Sequence, residues 1–89
     1  MKHQTRRGRR GQSLLTVYFC NINGFASKQH SLNTIIDRTI PDIVVLCETK
    51  ATGACMSNFF KPKGYEVLAR PGGSLNMGGI MIGTRRCKF

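Results

Sequence analysis

The run LTVYFCNINGFASKQHSLNTIIDRTIPDIVVLCETK, residues 15–50, decides how this chain folds. Together with Leu14, its opening residues as far as Cys20 are β-branched, aromatic and nearly continuous in hydrophobicity. A strand facing water on one side alternates apolar and polar residues, whereas one buried on both faces does not. The spelling therefore predicts a strand buried on both faces. It ends at Asn21-Ile22-Asn23-Gly24, whose Asn and Gly residues accept left-handed backbone and mark a turn. A helix pattern follows, with Leu32, Ile35, Ile36 and Ile40 on one face and Asn33, Thr34, Asp37 and Arg38 pointing away. Ser27 or Ser31 is placed to cap its start, and Pro41 stops it. Ile43, Val44, Val45, Leu46 and Cys47 then make a second strand, again without alternation. Strand, helix and strand with short connections form a βαβ unit, whose strands run parallel and whose crossover is right-handed.

Working outward from this unit, the pattern loosens beyond Glu48. Residues 54–60 offer one short helical turn, and Pro62-Lys63-Gly64 leads into a strand at Tyr65-Glu66-Val67-Leu68-Ala69. Pro71-Gly72-Gly73-Ser74 reads as a loop, and Gly79-Ile80-Met81-Ile82-Gly83 as a further strand paired antiparallel to its predecessor. The class is α/β: a βαβ unit followed by an antiparallel β-hairpin. At the other end, residues 1–13 (MKHQTRRGRRGQS) carry charge without apolar periodicity and read as a disordered basic arm. Residues 84–89 read as a basic tail, which leaves 14–83 as the folded part.

Fourteen Lys and Arg stand against four acidic residues, a net charge of +10. That sign favours polyanions, nucleic acid first and an anionic membrane surface second. The longest apolar runs are about five residues, against about 20 for a membrane-spanning helix, so no membrane partner is expected. Cys20, Cys47, Cys55 and Cys87 form no CxxC pair, and His3 and His30 complete no zinc spacing. They read as free thiols of a reducing compartment. With no secretory signal pattern and an Arg-rich start, the chain is expected to be intracellular and nuclear.

The polar residues that punctuate the βαβ unit carry the functional argument. Asn21 and Asn23 follow the end of the first strand; Glu48 and Lys50 follow the end of the second. In a βαβ unit those two carboxyl ends lie side by side, about 5 Å apart, and open α/β sheets place their ligands at that edge. Two amides, one carboxylate and one ammonium thus converge on a small volume. A lone carboxylate among carboxamides suits a hard, oxygen-seeking cation such as Mg2+, which keeps several of its waters. Lys50 would orient an oxygen of Glu48 or Asn23, or meet a phosphate. The same residues also have a plain structural reading, since Asn-Gly turns and a Glu closing a buried strand serve folding alone.

Two of these segments, CNINGF (20–25) and PDIVVLCETK (41–50), taken with their separation and the helix between them, resemble the opening of the endonuclease/exonuclease/phosphatase superfamily. They are most similar to the apurinic-type endonuclease domain at the front of non-LTR retrotransposon polyproteins. GYEVLARPGGSLNMGGIMI (64–82) resembles a later family segment and falls in the correct order. The resemblance implies a deoxyribonuclease I-like four-layered α/β sandwich, of which this chain would be the N-terminal part. It implies Mg2+ or Mn2+ as cofactor and DNA as partner of the intact domain. Residue by residue, Glu48 matches the metal-binding carboxylate and Asn21 the Asn that organises the active site and the scissile phosphate. Asn23 stands where some members place an Asp near the metal, and Lys50 where a residue braces the first motif.

Family members also use a Tyr, an Asp with a nearby Asn, and a terminal Asp–His pair. None of these can be placed here: after Glu48 the one acidic residue is Glu66, and no His follows His30. Removing a general base or an electrostatic stabiliser costs about 100-fold or more each, so the chain is expected to be a fragment inactive by itself. Its incomplete sheet is expected to invite self-association. Two alternatives stay open: a small basic nucleic-acid-binding module without catalysis, and a fragment from a phosphatase branch of the same superfamily.

Overall fold

The computed structural model describes residues 2–10, 13–70 and 78–87. Its elements are β1 (Lys2–Arg10), β2 (Ser13–Asn21), α1 (Gln29–Thr39), β3 (Ile43–Cys47), α2 (Gly53–Phe60), β4 (Tyr65–Arg70) and β5 (Ile80–Arg85). The five strands form one sheet in the order β1-β2-β3-β5-β4. β2 and β3 are parallel, as the βαβ reading requires. β4 and β5 are antiparallel, and β5 inserts between β4 and β3, pairing antiparallel with both.

Both helices lie on one face of this sheet. Leu32 and Ile36 of α1 and Met56 and Phe60 of α2 join Tyr18, Cys20, Val44, Leu46, Tyr65 and Met81 in a single buried cluster. The period-two geometry of a strand sends the neighbours of those residues to the other face. There Phe19, Val45, Ile82 and Leu68 stand opposite one another in one continuous row across four strands. Phe19 is 42%, Ile82 38% and Leu68 67% exposed. The expectation of strands buried on both faces is therefore corrected. β3 alternates in burial despite its continuous apolar spelling, because helices cover one face only and the apolar residues of the other face water.

Two further expectations change at the ends. Lys2–Arg10, read as part of a disordered arm, forms β1 and pairs antiparallel with β2 along its whole length, Lys2 opposite Asn21 and Arg10 opposite Ser13. Without it β2 would be an edge strand with a row of unpaired backbone groups, so the ladder rather than any apolar pattern orders this segment. The start of the basic tail is likewise structural. β5 continues to Arg85, whose guanidinium meets Asp42 at 3.3 Å, and the Arg86 N–H donates to the Gly64 carbonyl at 2.9 Å. Met1, Gly11 and Gln12 of the expected arm, the expected loop Pro71-Gly72-Gly73-Ser74, and Lys88 and Phe89 lie outside the described residues.

The helices also differ in detail from their sequence patterns. Neither Ser27 nor Ser31 caps α1; the chain enters it through a 3-10 turn at Ala26–Lys28, and Ser27 bonds back to the Gly24 carbonyl. Ile40 closes α1 in the left-handed region, 54% exposed rather than on the buried face. α2 is a full eight-residue helix, longer than one turn, with Thr52 as N-cap accepting from the Cys55 N–H at 3.1 Å. A 3-10 turn at Lys61–Lys63 follows and closes on Gly64, whose φ of 95° suits a residue without Cβ.

Four aromatic rings tie the elements together. Phe60 lies 4.8 Å from Phe59, 6.4 Å from Phe25 and 5.8 Å from Tyr65 between centroids. The Tyr65 hydroxyl donates to the Pro41 carbonyl, joining β4 to the end of α1. Burial pushes the Tyr65 phenol up to about 12, and burial raises Tyr18 as well. A phenol whose folded value lies above its unfolded value of about 10 contributes stability that is intact below pH 10 and lost as pH climbs towards 12. Denaturant titrations are expected to show stability falling across that alkaline window, with a shallower fall in Tyr65→Phe. An equal slope in the variant would remove Tyr65 from the explanation.

Candidate functional site

The candidate site is built where β2 and β3 end. Beyond the last paired strand residues the two chains stay zipped: Ile22 N–H donates to Cys47 O at 3.0 Å, Gly24 N–H to Glu48 O at 2.9 Å and Phe25 N–H to Thr49 O at 2.7 Å. A third segment locks the second loop from the far side, because Thr49 and Lys50 N–H donate to the carbonyls of Gly79 and Gly78 at 3.3 and 2.9 Å. Side chains along these loops alternate. Ile22, Phe25 and Thr49 are fully buried, while Asn21, Asn23, Glu48 and Lys50 are exposed. The anchors point into the core and thereby force the four polar groups outward on the same edge.

There the four polar residues form two cross-loop pairs. Asn21 Nδ2 donates to Glu48 Oε2 at 2.5 Å, and Lys50 Nζ donates to Asn23 Oδ1 at 2.7 Å. Sequence reasoning placed these residues at one edge; the geometry adds that they are partnered across it, each residue of the first loop with one of the second. Lys50 holds the Asn23 oxygen rather than Glu48. Of the two residues expected to ligate metal, Glu48 keeps Oε1 without a partner among the described residues, whereas the Asn23 oxygen already faces an ammonium. Of those two residues, the donor free for an incoming cation is thus one carboxylate oxygen. No group of three or more His, Cys, Asp or Glu that could hold a metal occurs among the described residues. A single carboxylate fits Mg2+ or Mn2+ bound largely through water and substrate oxygens and does not fit an all-protein cage.

The backbone of the site is strained. Asn23, Glu48 and Lys50 have φ of 47°, 53° and 51°, and Ile40 is the one other described non-glycine residue with positive φ. Asn tolerates this region; Glu and Lys seldom adopt it, and each such residue costs about 1–3 kcal/mol unless its surroundings hold it. Here the holding contacts are the five backbone bonds and the three buried anchors. Sequence reasoning missed Thr49 and the Gly78–Gly79 carbonyls as parts of the site. The alternation in N-I-N-G and E-T-K signals Thr49; the glycine pair gives no sign of its partner.

No protein-family model and no curated protein matches the sequence. Among solved structures the chain is similar to an AP endonuclease from Archaeoglobus fulgidus, with a TM-score of 0.68 and 27% identity. The similarity covers 79% of this chain and 27% of that one, so the chain spans about a quarter of its neighbour's length. The fold is accordingly of the deoxyribonuclease I-like α/β type.

Proposed function

We propose that this chain carries the opening section of a Mg2+- or Mn2+-dependent DNA endonuclease domain, of the kind found in retrotransposon-like polyproteins, and that it is catalytically inactive by itself. The observation that carries this reading is the pair of cross-loop bonds, Asn21 to Glu48 and Lys50 to Asn23, set at the strand edge of a fold shared with an AP endonuclease. Asn23, Glu48 and Lys50, all held in left-handed backbone, fit a site that must present its side chains in fixed positions.

Glu48 would hold the metal through its free oxygen. When bound, the metal would supply Lewis acidity towards a phosphate oxygen. Asn21 donates one of its two Nδ2 hydrogens to Glu48, which fixes the carboxylate and leaves the second hydrogen for a phosphate oxygen. Lys50 keeps Asn23 in register and has two further N–H groups for the same polyanion. Binding and orientation are what these residues supply; no described residue stands ready to activate the attacking water.

Mn2+ broadening in two-dimensional NMR of the whole chain tests the assignment without needing turnover. Signals of Asn21, Glu48 and neighbours are expected to broaden first, with apparent affinity falling about tenfold or more in Glu48→Gln. Broadening that persists in Glu48→Gln would refute the metal role. Nicking of supercoiled DNA that requires Mg2+ and disappears in Glu48→Ala would refute inactivity instead.

The exposed row Phe19-Val45-Ile82-Leu68 also supports self-association through the uncovered sheet face. Sedimentation velocity should then report association that weakens in Leu68→Lys. A monomer at every concentration would exclude it.

A further inference from the structure

A groove of about 580 Å³ runs between α1 and the end of α2, on the helical side of the sheet and away from the Asn21–Glu48 pair. Its size falls within the span usual for small-molecule sites, about 300–1,000 Å³. Its lining is unusual in being amide-rich: Gln29 and Asn33, one helical turn apart on α1, face Asn58 of α2. None of the three carboxamides has a hydrogen-bond partner among the described residues, so each offers a complete donor–acceptor pair. Cys55, Phe59, Pro62 and Lys63 complete the walls. The Lys63 ammonium stands 5.2 Å from the centroid of the Phe59 ring and 3.0 Å from Asp37 Oδ1. That ion pair is weakly held, since the Asp37 side chain is 58% exposed.

We propose that this groove binds an unpaired nucleobase carried on phosphate, adenine foremost. Carboxamides pair bidentately with the adenine edge, and a ring face next to a cation gives a base its stacking surface. Charge favours an anionic ligand: Lys63 is the one charged residue among those lining the groove. On binding, Lys63 exchanges its solvent-exposed carboxylate for the phosphate and uncovers the Phe59 ring for the base. α1 begins at the same sheet edge that carries Asn21 and Glu48, so Gln29 and Asn33 lie towards that edge. The proposal stands apart from the metal site and needs neither Mg2+ nor catalysis.

The test is two-dimensional NMR of the full chain titrated separately with adenosine monophosphate, inorganic phosphate and a short oligoadenylate. Side-chain amide signals of Gln29, Asn33 and Asn58 are expected to shift with the nucleotide and not with phosphate. Asn58→Asp, which keeps the shape and replaces donors by a charge, should weaken that response about tenfold, as loss of one bidentate pair implies. Asn33→Asp gives an independent second variant should either alter folding. Response to both nucleotide and oligomer assigns the groove to adenine, free or within a strand. Response to the oligomer alone assigns it to single strands. Equal response to phosphate, or none at the three amides with any probe, overturns the proposal.

Discussion

Replacing Phe60 by alanine is expected to leave the chain without a cooperative unfolding transition at room temperature. Phe60 is fully buried and sits at the centre of the aromatic set, against Phe25 from the loop after β2, Phe59 from its own helix and Tyr65 from β4. Truncating a buried Phe costs about 3–5 kcal/mol through lost transfer energy and the cavity left behind. A single-core domain of this length has a margin of about 5 kcal/mol, so the loss consumes most or all of it. Phe60→Leu, which keeps much of the volume, should cost about 1–2 kcal/mol and retain a melt. Phe59→Ala should fall between, because Phe59 is only partly buried. Amide dispersion and a thermal melt distinguish these cases. A cooperative melt in Phe60→Ala close to that of the parent chain would mean that the ladders, not this cluster, hold the fold. The cluster also reaches the candidate site, since Phe25 anchors the Asn21–Gly24 turn from inside. A loosened Phe60 should therefore blur the metal response at Glu48 before the sheet itself is lost.

What the sequence made legible follows from which forces leave local marks. The βαβ unit was readable because its apolar runs are long, its helix is periodic and Pro41 ends the helix where the chain must turn. The placement of the four polar residues was readable for the same reason: strand ends in a parallel pair put Asn21, Asn23, Glu48 and Lys50 on one edge. β1 was not, because KHQTRRGRR has no apolar period and is ordered by backbone pairing with β2 alone. α2 was under-read because GACMSNFF mixes a weak helix former with small polar residues, and its packing on β4 lies outside any local window. The reading of strands buried on both faces failed for an instructive reason. Continuous hydrophobicity reports that both faces are apolar, not that both are covered; here Phe19, Ile82 and Leu68 are exposed and Val45 between them is only partly buried.

At the candidate site, which groups meet was legible and how they pair was not. Composition and order put a carboxylate and an ammonium near two carboxamides, and either cation–oxygen pairing was open. Only three-dimensional placement gives Lys50 to Asn23 and Asn21 to Glu48. The reason is the left-handed backbone at Asn23, Glu48 and Lys50, which turns these side chains in directions that strand geometry does not foretell. In the second loop that backbone is in turn held by the distant carbonyls of Gly79 and Gly78, which accept from the Thr49 and Lys50 N–H groups. A site whose side-chain directions depend on a distant loop cannot be drawn from its own motifs.

Asp42 shows a residue whose importance sits inside a legible motif yet has nothing to do with the metal. It is 4% exposed. Its Oδ2 accepts from the Thr16 N–H at 3.0 Å and its Oδ1 lies 3.3 Å from Arg85 Nη2. Its backbone joins the same strands, donating to Thr16 O and accepting from Arg85 N–H at 2.9 Å each. One residue thus fastens β2, β3 and β5 at the end of the sheet opposite the candidate site. Asp42→Ala is expected to destabilise by about 3–5 kcal/mol, because it strands the Arg85 guanidinium, largely buried, and a backbone N–H without partners. Asp42→Asn retains an acceptor for Thr16 and should cost less, about 1–3 kcal/mol. Removing the cation as well separates the two contributions. In Asp42→Ala with Arg85→Met the ion-pair share of the loss should be recovered, leaving only the Thr16 bond. Urea denaturation of the parent chain, Asp42→Ala, Arg85→Met and the double variant closes the cycle. If the double variant is as unstable as the sum of the singles, the pair is not coupled, and the carboxylate acts through Thr16 alone. If it is more stable than Asp42→Ala, the P-D-I motif is a structural clamp on this sheet whatever the edge above it binds.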